Sequence, residues 1–147
     1  MDIKIEQWAP VAEIEEDILD SLGFAASSCL VSLLQTTSDC VKLLTREGRL
    51  RYANARALEE LAGATLEQAK DRVWSEFWPN AARPILEQAV EKAADGHHVH
   101  CEVPRPDEDG DRLWSVALTP VTLRDGTVEA ILVVSNDLTA NINAEPG

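Results

Sequence analysis

"SDCVKLLTREGRLRYAN" runs from Ser38 to Asn54, and it reads as two strands joined by a turn. "CVKLLT" and "RLRYA" are β-prone runs on either side of Arg46, Glu47 and Gly48, with Gly48 suited to the turn. Asn54 comes directly after Tyr52 and Ala53 and precedes "ARALEELAG". Its side chain can accept from the free amides of a first helical turn, and Gly63 can close that helix. A hairpin that passes straight into a capped helix is therefore expected at the head of the structured part.

Downstream, "TLEQ" at 65–68 fits a capping box, with Thr65 and Gln68 each covering one donor of a short turn. "DRVWSEFWP" predicts another short helix, stopped by Pro79, and Trp74 and Trp78 are spaced to share its face. The pair serves either as core packing or as a lid over a ligand. "NAARPILEQAVEKAADG" is the longest predicted helix, with Ile85, Ala89 and Ala93 in one row and Leu86 and Val90 in the next, so it should lie flat on a sheet. Pro84 fits its first turn and Gly96 its end.

Three further strands follow: "HVHCEV", "RLWSVALTPV" and "TVEAILVVSN". Their turns are "PDEDGD" and "RDG", the second an Asp-Gly pair of the tight hairpin type, and the three strands form a meander. The fold class is α+β with antiparallel neighbours. "EAILVVS" is apolar at both parities, which implies that both faces of the sheet are covered. The helices between the second and third strands supply one cover.

Residues 1–37 supply the other, read as a helical extension. Val11, Ile14, Ile18 and Leu22 form one helical stripe ended by Gly23, and "SSCLVSLLQTT" places Leu30, Leu33 and Leu34 on one side of a second helix. These residues are the expected homodimer interface, since an amphipathic helix packed on a second copy buries area otherwise exposed.

The chain of 147 residues accommodates one domain with a sizeable core. Its net charge is -13, and Asp2, Glu6, Glu13, Glu15, Glu16, Asp17 and Asp20 oppose only Lys4 within the first twenty positions. Such a field repels nucleic acid and anionic lipid, and no basic patch offsets it. Cys29, Cys40 and Cys101 are widely spaced and odd in number, which writes neither a disulfide framework nor a zinc half-site, so reduced, buried thiols are expected. No signal-like leader precedes the domain, and "AILVV" is far too short for a membrane span. A cytoplasmic location is the expectation. Met1 and the Pro146-Gly147 end read as natural termini.

From Ser38 to Thr139 the chain resembles a PAS domain, a sensory module of bacterial signalling proteins. "SDCVKLLTREGRLRYAN", "FWP" at 77–79, "LWSVALTPV" and the closing "VSNDLT" carry the likeness. It is similar to the type with Asp-Cys-Val-Lys in its first strand and Phe-Trp-Pro before its long helix, often found ahead of histidine kinases. The resemblance implies a PAS domain at 38–139, followed by a short tail at 140–147. It also implies a five-stranded antiparallel sheet whose concave face is closed by helices around a small cavity that is filled with a ligand in some relatives and empty in others. In the family the last strand ends in a motif that drives an output domain, and Asp137, Leu138 and Thr139 occupy it here, which assigns signal output to Asp137 and Thr139.

Cofactor signatures can be compared position by position. Flavin light sensors carry a reactive cysteine in "NCRFLQ", where this chain has "DRVWSEFW", and haem-binding relatives take a histidine from the long helix, where residues 80–95 contain none. A flavin adduct and histidine-ligated haem are therefore not expected, and the cofactor is left open. His98, His100 and Glu102 share a strand face as a two-histidine, one-carboxylate set, yet neighbours along one strand face lie about 7 Å apart, too far to close on one ion. A solvated strand start is the expectation for His97, His98 and His100, with no metal.

No nucleophile elbow, phosphate loop or paired-acid motif occurs, so no enzyme activity is predicted. The expected ligand pocket joins Trp74, Trp78, Leu86 and Val90 from the helices with Trp114, Val116 and Leu118 of the fourth strand and Ile131, Val133 and Ser135 of the fifth. Either these side chains fill the space or they leave a mostly apolar cavity suited to a small apolar or aromatic metabolite. The functional expectation is a sensor that binds a small ligand or a protein partner and regulates a separate histidine kinase or response regulator. The alternative is a carrier or minor enzyme that uses the same pocket.

Overall fold

The computed structural model describes residues 3–6, 37–61, 63–106 and 110–138, the first of these by backbone alone. Six strands form one antiparallel sheet: β1 (Ile3–Glu6), β2 (Cys40–Thr45), β3 (Leu50–Ala53), β4 (His98–Pro104), β5 (Leu113–Thr122) and β6 (Val128–Asp137), in the order β1-β4-β5-β6-β2-β3. Between β3 and β4 lie α1 (Ala55–Glu60), α2 (Leu66–Ala69), a 3₁₀ turn (Trp74–Phe77) and α3 (Arg83–Ala94).

The five strands expected from sequence are all present, and the sheet carries a sixth. The helical reading of residues 1–37 is corrected at Ile3–Glu6, which pairs with β4 from Ile3 opposite Cys101 to Glu6 opposite His98. Alternation in "IKIE" was the available signal; β4 would otherwise present an open edge of unpaired amides. The two expected amphipathic helices at 11–34 lie outside the described residues, and so do the interface residues Val11, Ile14, Ile18, Leu22, Leu30, Leu33 and Leu34.

The first hairpin follows the predicted grammar. Thr45 N donates to Arg49 O at 2.8 Å and Gly48 N to Thr45 O at 2.9 Å, with Gly48 at φ +88°. The second hairpin turns at the expected Arg124-Asp125-Gly126. Leu123 N donates to Thr127 O at 2.8 Å and Gly126 N to Leu123 O at 2.9 Å, so the loop has three residues and Gly126 takes the left-handed position at its end. Both hairpins therefore use one turn design.

Asn54 caps α1 as expected, accepting from Ala57 N at 2.9 Å, and the Thr65–Gln68 capping box is complete. In α3, Pro84 occupies the first turn, and the helix closes where His97 N donates to Lys92 O at 3.1 Å around Gly96. α1 packs on β2 and β3, and α3 on β4, β5 and β6, so one face of the sheet and the helices enclose a cup. On β6, Ile131, Val133 and Ser135 are buried toward it, while Ala130, Leu132 and Val134 are half-buried on the other face.

Candidate functional site

The inward parity of β2 reads Cys40, Lys42, Leu44, and all three are buried. An ammonium thus sits where strand periodicity demands an apolar side chain, and desolvating it alone would cost several kcal/mol. Glu60, the last residue of α1, meets it: Lys42 Nζ lies 2.6 Å from Glu60 Oε2, with the two side chains 0% and 1% exposed. Lys42 Nζ also donates to Ser135 Oγ at 2.7 Å, and Ser135 Oγ donates to Glu60 Oε2 at 3.2 Å. Register explains the triangle, because Cys40 stands opposite Ser135 and Lys42 opposite Val133 on β6. The Trp74 ring covers the ammonium at 5.7 Å.

Arg105, just past β4, closes the mouth. Its guanidinium donates to Glu60 Oε1 at 3.1 Å, Glu60 O at 2.7 Å and Phe77 O at 3.1 Å. It stacks on Trp78 at 4.3 Å and reaches Trp114 at 5.7 Å. Burial lowers its pKa while Glu60 opposes the shift. One side chain thereby ties α1, the end of the 3₁₀ turn and β5 together.

Trp74 and Trp78 meet edge to face at 6.0 Å, and Trp78 meets Trp114 at 5.9 Å. Trp74 Nε1 and Trp78 Nε1 are buried and have no acceptor among the described residues. Asn136 Oδ1 is likewise buried without a donor there, on the other parity of β6. Burial pushes the Cys40 thiol up to about 12, with Glu60 adding to the effect, and the Cys101 thiol up to about 11. Both are free, neutral thiols at ordinary pH.

Of the residues expected to line the pocket, Trp74, Trp78, Leu86, Val116, Leu118, Ile131, Val133 and Ser135 come together as buried groups. Trp114 is half-buried at the mouth. Val90 lies at the opposite rim, on a groove of about 490 Å³ between Gly48 and α3 that contains none of the charged cluster. The apolar interior also holds two charges, Lys42 and Glu60, and a groove of about 400 Å³ lined by Asp39, Cys40, Glu60, Trp114 and Asp137 reaches Glu60. Lys42 on an inward parity, and Glu60 between Ala57 and Leu61 on the apolar face of α1, were readable signals. Arg105, in a loop, left none.

His97 is exposed as expected, but two of the three histidines are corrected. His98 is buried, its Nδ1 2.9 Å from Thr119 Oγ1, and His100 Nε2 is 2.8 Å from Ser115 Oγ, so both are held across the β4–β5 ladder rather than solvated. At the exit of β6, Asp137 pairs with Arg112 at 3.2 Å. Thr139 lies outside the described residues.

The PAS_4 family, described as the PAS fold, matches residues 34–142. The chain belongs to this family. Among solved structures, the PAS domain is similar to an RNA-binding light-oxygen-voltage receptor, at 16% identity and TM-score 0.67, over 96% of this chain and 39% of that one. It is also similar to the PAS domain of a Colwellia psychrerythraea protein, at 14% identity and TM-score 0.65, over 78% and 98%. A third likeness is to the VqmA dimer of Vibrio cholerae, a LuxR-type receptor, at 20% identity and TM-score 0.65, over 82% and 55%. The chain thus spans about two fifths of the first protein and about half of the third, and these likenesses concern the fold. No curated protein matches the sequence. PAS domains are a sensory module family, and no helix among the described residues is long and apolar enough to cross a membrane.

Proposed function

We propose that this PAS domain is a cytoplasmic bacterial sensor that holds a small ligand in the cup and regulates a separate histidine kinase or response regulator as a homodimer. The observation that carries the reading is the buried Lys42–Glu60–Ser135 triangle. Charged groups in a core add little net stability and are costly to retain, so a recognition role accounts for them better than packing does. The triangle also touches the output strand, because Ser135 lies two residues before Asp137 on β6. A ligand that moves Lys42 or Glu60 would therefore bear on the end of β6.

The acidity of the chain supports a protein partner over nucleic acid. Residues 11–37 are assigned to the dimer interface on their apolar stripes. No catalytic step is assigned to the cup.

Native mass spectrometry of the purified, undenatured protein, with an absorbance spectrum of the same sample, tests the ligand reading. A dimer with added mass that disappears on denaturation is expected. A bare chain that also acquires no mass from cell extract would remove the ligand from the proposal and leave signalling by contact alone.

A further inference from the structure

The cup has more positive charge and more hydrogen-bond donors than its own acceptors can absorb. Lys42 and Arg105 share one carboxylate, Glu60, and their side chains are 0%, 17% and 1% exposed in that order. Of the next carboxylates among the described residues, Asp137 is engaged by Arg112, the Glu59 side chain is 71% exposed and paired with Arg56, and half-buried Asp39 lies at the groove, where its Oδ1 accepts from Asn136 Nδ2 at 3.4 Å. Cys40 contributes no charge, its thiol being neutral. Among the described residues, the buried cluster thus sets two cations against one carboxylate, a local excess of one positive charge in a chain of net charge -13.

Donors are in surplus at the same place. Lys42 has three N–H groups, of which Glu60 and Ser135 take two. The indole N–H groups of Trp74 and Trp78 can only donate, and both are buried without an acceptor among the described residues. Their rings stand 6.0 Å apart, with the Lys42 ammonium 5.7 Å from the first. An orphaned buried donor costs about 1–3 kcal/mol, so a site that retains two beside a spare ammonium proton is built for acceptor atoms.

Resting on the ligand reading above, we infer that the cup takes a small monocarboxylate, whose oxygens accept from the Trp74 and Trp78 indoles and from Lys42 while Arg105 closes over it. One negative charge matches the local excess, and a flat carboxylate suits two edge-to-face rings. The dianion of a phosphate monoester would overcompensate.

The test uses ¹⁵N-labelled full-length protein and reads the four indole N–H signals, assigned with Trp→Phe variants. The probes are acetate, pyruvate and benzoate, each beside its neutral primary amide. Saturable downfield shifts of the Trp74 and Trp78 signals are expected with at least one carboxylate, at a Kd at least about tenfold below that of its amide. Lys42→Met, which removes the ammonium and leaves Glu60 paired with Arg105, brings the cluster to zero net charge and should lose that preference. If the amides shift the same indoles as well as the carboxylates do, the ligand reading stands and the anionic class is overturned. If no probe moves either indole, the carboxylate inference fails, and whether the cup holds any ligand is decided by the native mass experiment. A preference that persists in Lys42→Met would remove Lys42 from the site.

Discussion

Asn54 shows how one residue can hold more structure than its cap role implies. Its Oδ1 accepts from Ala57 N at 2.9 Å and from Val41 N at 3.1 Å, while its Nδ2 donates to Asp39 O at 3.2 Å. It therefore closes α1 and ties β3 to the start of β2, in a site only 4% exposed. A cap alone is worth about 1 kcal/mol, and a buried amide left unpaired adds about 1–3 kcal/mol more, so Asn54→Ala should cost about 2–4 kcal/mol in urea unfolding. A loss near 1 kcal/mol would mean that the Val41 bond contributes nothing. The cap was legible because Asn before a helical pattern is a local signal. The bond to Val41 was not, since it depends on where β2 lies relative to β3.

At the scale of elements, the β2–β3 turn is fitted against α3. Gly48 holds φ +88°, and a Cβ there would stand 3.3 Å from Val90 Cγ1. Gly48→Ala therefore meets both a left-handed backbone and a crowded neighbour, and a loss of about 1–2 kcal/mol is expected in the same unfolding measurement. Gly126→Ala supplies the comparison, because its φ is +89° with nothing within 4 Å of the added Cβ. It should cost the backbone term alone, and equal losses would show that Val90 yields freely. Turn residues announced both hairpins in the sequence. The "RDG" stretch marked the second loop itself, while its turn geometry rested on strand register, because an Asp-Gly pair serves two turn designs.

For the whole molecule, the half-buried outer face of β6 and the acidic N-terminal region lead to one prediction. If residues 11–37 form the dimer contact, the chain lacking residues 1–37 should run as a monomer in size-exclusion chromatography with light scattering, or lose solubility. A soluble dimer would place the interface on the PAS domain itself. The same truncation removes β1 and bares the β4 edge, so retention of a native melting transition should be checked in parallel.

What the sequence by itself determined was local: the strand repeats, the capping residues, the glycines of the turns and the family-like order of elements, all set by contacts within a few residues. Even Lys42 and Glu60 could be located individually as charges on apolar faces. Only the tertiary structure decided that they meet. Lys42 Nζ, Glu60 Oε2 and Ser135 Oγ come from β2, α1 and β6, and Arg105 joins them from a loop. The distance in sequence from Lys42 to Ser135 is closed by the β2–β6 register. A buried ammonium is tolerable only where a carboxylate and a hydroxyl arrive from elsewhere, and that arrival is a property of packing, which no local pattern encodes.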